Sequence, residues 1–161
     1  AVYAVGNGAI YPWDGNTWVR IEHGLSLRRG ILKGVWVHSK DEVWVVGHDG
    51  VVARFDGRTW AAVPWEREAP GEDRFEEVWG SGPDDVWVSG YCCLLHYDGE
   101  AWTRVDAAAL GLSEQGTYIM DLWGSSPDEI WAVGQDGLIL RYDGQAWHRE
   151  LSGTDRDRDG V

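Results

Sequence analysis

Three aspartates alternate near the end of the chain, at Asp155, Asp157 and Asp159, and Gly160 follows them directly. Calcium-binding loops offer carboxylate oxygens at alternate positions before a sharp turn, which is the pattern found here. The sequence carries no later ligands of such a loop, so three carboxylates would bind calcium at about millimolar concentration. Residues 152–161 are therefore predicted to be either the start of a weak calcium site or a solvated acidic tail.

Two adjacent cysteines, Cys92 and Cys93, form the second group with chemical potential. A disulfide between sequence neighbours closes a small strained ring, and strained disulfides are easily reduced. The pattern favours Cys93 as a small buried side chain and Cys92 as a free thiol, because two cysteines do not make a disulfide framework. Export from the cell would favour a vicinal disulfide between them instead.

Catalytic motifs are missing from the sequence, which contains no His-Glu-x-x-His, Gly-x-Ser-x-Gly or Cys-x-x-Cys. The five histidines occupy unrelated positions and lack metal-ligand spacing. Four acidic residues next to turns are more simply explained as turn and cap residues than as general acids or bases: Asp84, Asp85, Asp128 and Glu129. The sequence favours a non-enzymatic protein.

The charge balance restricts the partners of the chain. Acidic residues outnumber basic ones by 27 to 14, which gives a formal net charge of −13 over 161 residues. Nonspecific binding to nucleic acid or to an anionic membrane requires clustered Lys and Arg, so both partners are disfavoured. No apolar segment approaches the ~18 residues that a membrane-spanning helix needs, so membrane insertion is not expected.

The elements that must position these groups are visible as a repeat of about 43 residues, which accounts for most of the 12 tryptophans. When the repeats are aligned, three positions or motifs recur, and we call them columns. The first column holds Trp36, Trp79 and Trp123. The second column holds Tyr3, Trp44, Trp87 and Trp131. The third column is Asp-Gly-x-x-Trp, which ends at Trp18, Trp60, Trp102 and Trp147.

Each repeat contains four short β-branched and aromatic segments separated by turn residues, which predicts four antiparallel strands. Repeated units of this size and composition are typical of β-propeller blades. We therefore predict an all-β protein of four blades, the first of which lacks its inner strand. The predicted blades cover approximately residues 1–22, 30–65, 74–106 and 117–151, and the tail covers residues 152–161.

Residues 123–134, Trp-Gly-Ser-Ser-Pro-Asp-Glu-Ile-Trp-Ala-Val-Gly, are followed by Tyr-Asp-Gly-x-x-Trp. This sequence resembles bacterial Asp-box (sialidase-type) and kelch-like propeller repeats, and the resemblance covers about residues 2–151. An Asp-box has Ser or Thr two residues before the Asp, where this chain has Pro12, Arg54, His96 and Arg141. Kelch repeats have a double Gly after the second strand, where this chain has one. The resemblance implies the fold, and no sialidase catalytic residue is matched.

Binding is predicted at the propeller rim that carries the connectors between blades, because variable loops on a rigid scaffold commonly hold binding residues. The candidate ligand-binding residues are His23, His48, Trp65, Glu66, Arg67, Cys92 and Gln135. Four charged side chains on the inner strands are predicted to line the central channel: Lys33, Glu76, Glu77 and Asp121.

These features predict an exported binding or scaffold module, located outside the cell, in the periplasm or at the cell surface, that recognises a glycan or a protein. Two alternatives remain: part of a sialidase-like glycoside hydrolase or lyase, and a structural spacer within a large surface protein. Since Val2 matches the second strand of a blade, three architectures are open. They are a closed four-bladed ring, a piece of a longer propeller, and two chains joined into an eight-bladed ring. We expect the piece, completed by a missing portion of the polypeptide or by a second chain.

Overall fold

The computed structural model of the chain describes residues 1–27, 30–66, 73–91, 94–105, 107–112 and 118–152. Its four successive antiparallel sheets, which we call blades 1 to 4, confirm the predicted β-propeller fold. Blade 1 contains β1 (Tyr3–Gly6) and β2 (Ala9–Pro12). Blade 2 contains β3 (Leu32–Ser39), β4 (Glu42–Gly47), β5 (Val51–Phe55) and β6 (Trp60–Ala62). Blade 3 contains β7 (Phe75–Gly82), β8 (Asp85–Gly90), β9 (Leu94–Tyr97) and β10 (Trp102–Val105). Blade 4 contains β11 (Ile119–Ser126), β12 (Glu129–Gly134), β13 (Ile139–Tyr142) and β14 (Trp147–Glu150).

Within each blade the spatial order of the strands follows the order of the chain. The inner strands β3, β7 and β11 lie next to one another around the axis. Blade 1 continues beyond β2 through two isolated bridges, Ile10 with Ile21 and Trp13 with Trp18, at the place of a further strand. Short 3-10 helices cover Ala107–Leu110 and Gln135–Gly137.

The Asp-Gly turns form because each Asp side chain accepts hydrogen bonds from the backbone of its own turn. In blade 2 the Asp56 carboxylate accepts from the N–H groups of Arg58 and Thr59 at 2.9 and 2.8 Å. Gly57 has a φ of +87°, and its backbone lies against Asp41 in the turn between β3 and β4. The turn between the first and second strands and the Asp-Gly turn between the third and fourth strands therefore lie on the same rim of the propeller.

The repeated tryptophans form the boundaries between blades. Trp44 packs on the Tyr97–Trp102 pair of blade 3, with ring centroids 5.5 and 5.9 Å away. Trp36 covers Gly80 so closely that a Cβ there would lie 2.7 Å from the indole. Only a glycine fits under that ring, and Trp79 covers Gly124 in the same way on the following blade.

Blades 2, 3 and 4 each contain an acidic residue that holds the second-column tryptophan and a basic residue together, an arrangement we call the clamp. In blade 2, Glu42 accepts hydrogen bonds from Trp44 Nε1 and Arg54 Nε, both at 2.7 Å. The other two clamps consist of Asp85, Trp87 and His96, and of Glu129, Trp131 and Arg141.

The clamps change two interpretations made from the sequence. Asp85 and Glu129 begin strands β8 and β12 and bind side chains of their own blade, so the turn-and-cap interpretation of these two residues is wrong. The clamp bases Arg54, His96 and Arg141 occupy the position where an Asp-box has Ser or Thr. The Asp-box resemblance fails at this position because the residue there is a base that binds the acidic residue of its clamp.

Candidate functional site

The turns that belong to the Asp-Gly-x-x-Trp motif lie on one rim of the propeller. The opposite rim carries the connectors between blades, and we call it the connector rim. Two contacts join connectors to the turns between second and third strands. His23 Nε2 lies 2.9 Å from the Gly8 carbonyl oxygen, and Trp65 Nε1 donates to the Gly50 carbonyl oxygen at 3.0 Å. The connectors therefore lie over the ends of the blades, at the place where the sequence predicted binding.

A cavity of about 610 Å³ opens on the connector rim beside blade 2. Most of its lining side chains are apolar, but polar groups, among them Ser26, the Asp49 turn and exposed backbone, make up nearly half of the lining surface. The residues that line it are Leu25, Ser26, Leu27, Asp49, Gly50, Val51, Val52, Ala53, Ala62, Val63, Pro64 and Trp65. A volume in this range and an aromatic wall are typical of ligand-binding pockets.

Two predicted residues shape this cavity. The ring of His23 accepts a hydrogen bond from the Leu25 N–H at its Nδ1, 3.0 Å away, so its Nε2 carries the proton donated to Gly8. His23 thereby fixes the connector from which Leu25 and Leu27 project. Trp65 is half-buried and packs on Phe75, with ring centroids 5.3 Å apart, so it forms a fixed wall.

A polar cluster lies at the start of the inner strands, where β-bulges interrupt the pairing of β3 with β4 and of β7 with β8. Glu76 is bonded there to Lys33 Nζ at 2.9 Å and to the Tyr118 hydroxyl, and His48 Nε2 lies 3.5 Å away. Burial opposes ionisation of Glu76, but these bonds hold its pKa below the ordinary value. Burial and the bond to Glu76 raise the pKa of Tyr118 to about 12.

An open groove of about 590 Å³ runs beside this cluster along the inner strands, and Glu77 and Asp121 lie in it with Trp79 and Trp123. Burial raises the pKa of Glu77 to about 7, where the hydrogen bond from the Val78 N–H lowers the pKa and the nearby charges of Asp121 and Glu76 contribute to the rise. Two of the four charges that the sequence placed on the inner strands, Lys33 and Glu76, therefore pair in the polar cluster, and the other two, Glu77 and Asp121, lie in the groove.

The remaining candidates are not assembled into one site. Glu66 is exposed next to Trp65, and Gln135 lies on blade 4 in a 3-10 turn whose backbone bonds to Tyr118. Six candidates lie outside the described residues: Arg67, Cys92, Cys93, Asp155, Asp157 and Asp159.

Leu25 and Leu27 were missed by the sequence analysis. Their signal is an apolar pair spaced two residues apart within a connector, which recurs as Val63 and Trp65 and again as Leu110 and Leu112. Each of these pairs packs against the core between two blades.

Across the part of the chain that the structure describes, no group of three or more metal-ligating side chains comes together. Within the same residues, no helix has the length and apolar character needed to cross a membrane.

No protein-family model and no curated protein matches the chain. Among solved structures it is similar to YCF48 from Cyanidioschyzon merolae, with 26% sequence identity and a TM-score of 0.57. That match covers 73% of this chain, and the chain spans 39% of the length of that YCF48 chain. The likeness supports a β-propeller, and not specifically the Asp-box or kelch-like type of repeat.

A second similar structure is YCF48 bound to D1 peptide, with 15% sequence identity and a TM-score of 0.49. That match covers 91% of this chain and 76% of the other. At this distance it does not support an inference about ligands.

Proposed function

We propose that the chain is a non-enzymatic, protein-binding propeller module, and that the cavity beside Trp65 takes an apolar side chain from an extended segment of its partner. The observation that carries the proposal is this 610 Å³ cavity on the connector rim. Its walls come from a connector and from β5 and β6, so a rigid blade supports them.

The chemistry of the cavity favours a protein segment over a glycan. Leu25, Leu27, Val51 and Val63 contribute hydrocarbon to the walls, and burial of an apolar side chain there would contribute about 25 cal/mol for each Å² removed from water. A glycan needs many hydrogen-bond partners, and among the lining side chains only Ser26 and Asp49 offer an oxygen, beside the backbone groups of the lining. Recognition of a glycan is thus the second candidate, and export from the cell remains a proposal that accompanies either.

Two neighbouring alanines on β6 provide a matched test. Both alanines are exposed, but Ala62 lines the cavity whereas Ala61 does not and lies on the other face of the strand. Ala62→Trp fills the cavity, and Ala61→Trp adds the same side chain outside it. We expect a displayed library of random peptides to yield peptides that bind the unmodified chain. These peptides should still bind the Ala61→Trp variant and should not bind the Ala62→Trp variant.

The same two variants applied to a glycan array separate the two ligand classes. Peptide binders that contain an apolar residue whose replacement by Ser abolishes binding would support the proposal. Binders insensitive to Ala62→Trp, or glycan binding blocked by Ala62→Trp in the absence of any peptide binder, would contradict it.

A further inference from the structure

Every internal boundary between complete blades is built from the same parts. The second-column tryptophan of one blade packs on the aromatic pair of the next, as Trp44 does on Tyr97 and as Trp87 does on Tyr142 at 5.1 Å. The residue two positions after that tryptophan, Val46 in blade 2, is fully buried at the boundary.

Blade 4 exposes the first half of this interface, on a surface that we call the Trp131 face. Trp131 and Val133 occupy the positions of Trp44 and Val46 in the repeat, but Val133 is 43% exposed. Trp123, whose equivalents Trp36 and Trp79 cover a glycine of the following blade, is 62% exposed.

Blade 1 exposes the second half, on a surface that we call the Trp13 face. The rings of Trp13 and Trp18 lie 5.2 Å apart and are 40% and 47% exposed. The equivalent pair in blade 3, Tyr97 and Trp102, has a spacing of 5.1 Å and receives Trp44. Val2, on the same face, is 55% exposed, although its equivalents in blades 2, 3 and 4 are fully buried. The described residues therefore form an open arc whose two ends match at the positions of Trp131 and Trp13, although blade 1 has no described inner strand to receive Trp123.

We propose that two copies of this chain associate head to tail, the Trp131 face of each packing on the Trp13 face of the other. The contact continues the interface that already joins blades within the chain. Such a contact between unlike surfaces closes into a ring when the rotation permits. Two copies of four blades make eight blades, which is within the range of known propellers, whereas three copies would exceed it.

Charge and apolar area act against each other in this association. Each copy carries a formal net charge of −13, so two copies repel at low ionic strength, while the two faces are aromatic and aliphatic apart from the paired Glu129 and Arg141 on the Trp131 face. Salt shortens the Debye length from about 30 Å at 0.01 M to about 8 Å at 0.15 M. We therefore expect the dimer to strengthen as salt is added.

Three valines provide a matched set of variants. Val133→Glu places a charge in the Trp131 face, and Val2→Glu places one in the Trp13 face. Val19→Glu is the control, because Val19 is 42% exposed and its equivalents in the other blades, Ala61, Thr103 and His148, are exposed as well.

Sedimentation velocity measures the mass of each variant in solution. The buffer contains about 0.15 M salt, because the Debye length of about 8 Å at this concentration screens the repulsion between two acidic copies. We expect the unmodified chain and Val19→Glu to sediment as dimers, and Val133→Glu and Val2→Glu as monomers. An equimolar mixture of the last two should regain a dimer, because one intact head-to-tail contact remains possible. Circular dichroism establishes that each variant is folded, and Trp131→Ala and Trp18→Ala replace any that is not.

Three results would overturn the proposal. One is a monomeric unmodified chain at every salt and protein concentration. Another is dissociation by Val19→Glu as complete as that by the other two variants. The third is a mixture of Val133→Glu and Val2→Glu that stays monomeric, since association through like faces would not be rescued by mixing.

Discussion

Blades 2 and 4 contain the same Glu–Trp–Arg clamp, but blade 3 buries the clamp of blade 2 whereas the clamp of blade 4 is exposed to solvent. The same interaction can therefore be tested in two environments. Glu42 is only 8% exposed, and Trp44 beside it is buried against blade 3. Glu129 has a side chain that is 32% exposed on the open face of blade 4. We expect Glu42→Gln to lower the free energy of unfolding far more than Glu129→Gln.

The size of the first effect follows from the contacts of Glu42. Its carboxylate accepts from Trp44 Nε1 and from Arg54 Nε and Nη2, each at 2.7 Å. Glutamine keeps the shape but removes the charge and one acceptor, so Arg54 loses a partner. Removing one member of a fully buried ion pair costs about 3–5 kcal/mol. Since the Arg54 side chain is 34% exposed, water replaces part of the contact, and we expect about 2–3 kcal/mol.

The effect at Glu129 should be much smaller, because both members of its pair with Arg141 are open to water and screened by salt. Urea unfolding followed by tryptophan fluorescence measures both variants, at a protein concentration where the chain is monomeric so that no second copy covers Glu129. The double variant Glu42→Gln, Arg54→Met should recover part of the loss, because it removes the uncompensated charge. Equal losses in the two single variants would refute the reasoning that burial by the next blade sets the contribution of the clamp.

Three further predictions concern titration, redox state and metal binding. Because the folded pKa of Glu77 is about 7 and its ordinary value is 4.5, the folded state retains a proton that the unfolded state releases, so stability falls as pH rises between these values. Glu77→Gln should remove this pH dependence and raise the free energy of unfolding at pH 8 by about 1–2 kcal/mol, a figure reduced because Glu77 is partly exposed to water. Chemical unfolding at several pH values measures the change. Intact-mass measurement without reductant, with thiol labelling, should find two free thiols at Cys92 and Cys93, and a mass lower by two hydrogens would show a disulfide instead. If the acidic tail binds calcium, titration calorimetry should detect a weak site that Asp157→Ala removes, whereas no heat at about millimolar calcium would contradict it.

The strands were predictable because their signals are local. Glu129–Gly134, within the predicted blade 117–151, forms a strand, since the turn residues Pro127 and Asp128 precede it and Gly134 ends it. The Asp-Gly turns hold their shape through bonds to their own backbone, as Asp143 does with Gln145 and Ala146. Repetition then implied the packing of the tryptophans, because equivalent positions have equivalent neighbours.

The sequence analysis predicted a location for binding, the connector rim, and binding there stays a prediction. His48 and Trp65 lie on this rim, but neither the cavity nor the Glu76 cluster could be recognised from the sequence. Glu76 meets Lys33 from the blade before it and Tyr118 from the blade after it, and β-bulges aim the inner-strand side chains. A bulge depends on strand pairing, and such pairing is invisible in a single strand.

The sequence by itself determined the repeat, the turns and the blade architecture, because each depends on residues close together in the chain. The tertiary structure alone decided which equivalent residues are core and which are surface. Val46 is fully buried and Val133 is 43% exposed, although the two valines occupy the same position of the repeat. The physical reason is that burial of a blade face depends on the neighbouring blade, and among the described residues Val2 in blade 1 and Val133 in blade 4 stay exposed at the ends of the arc.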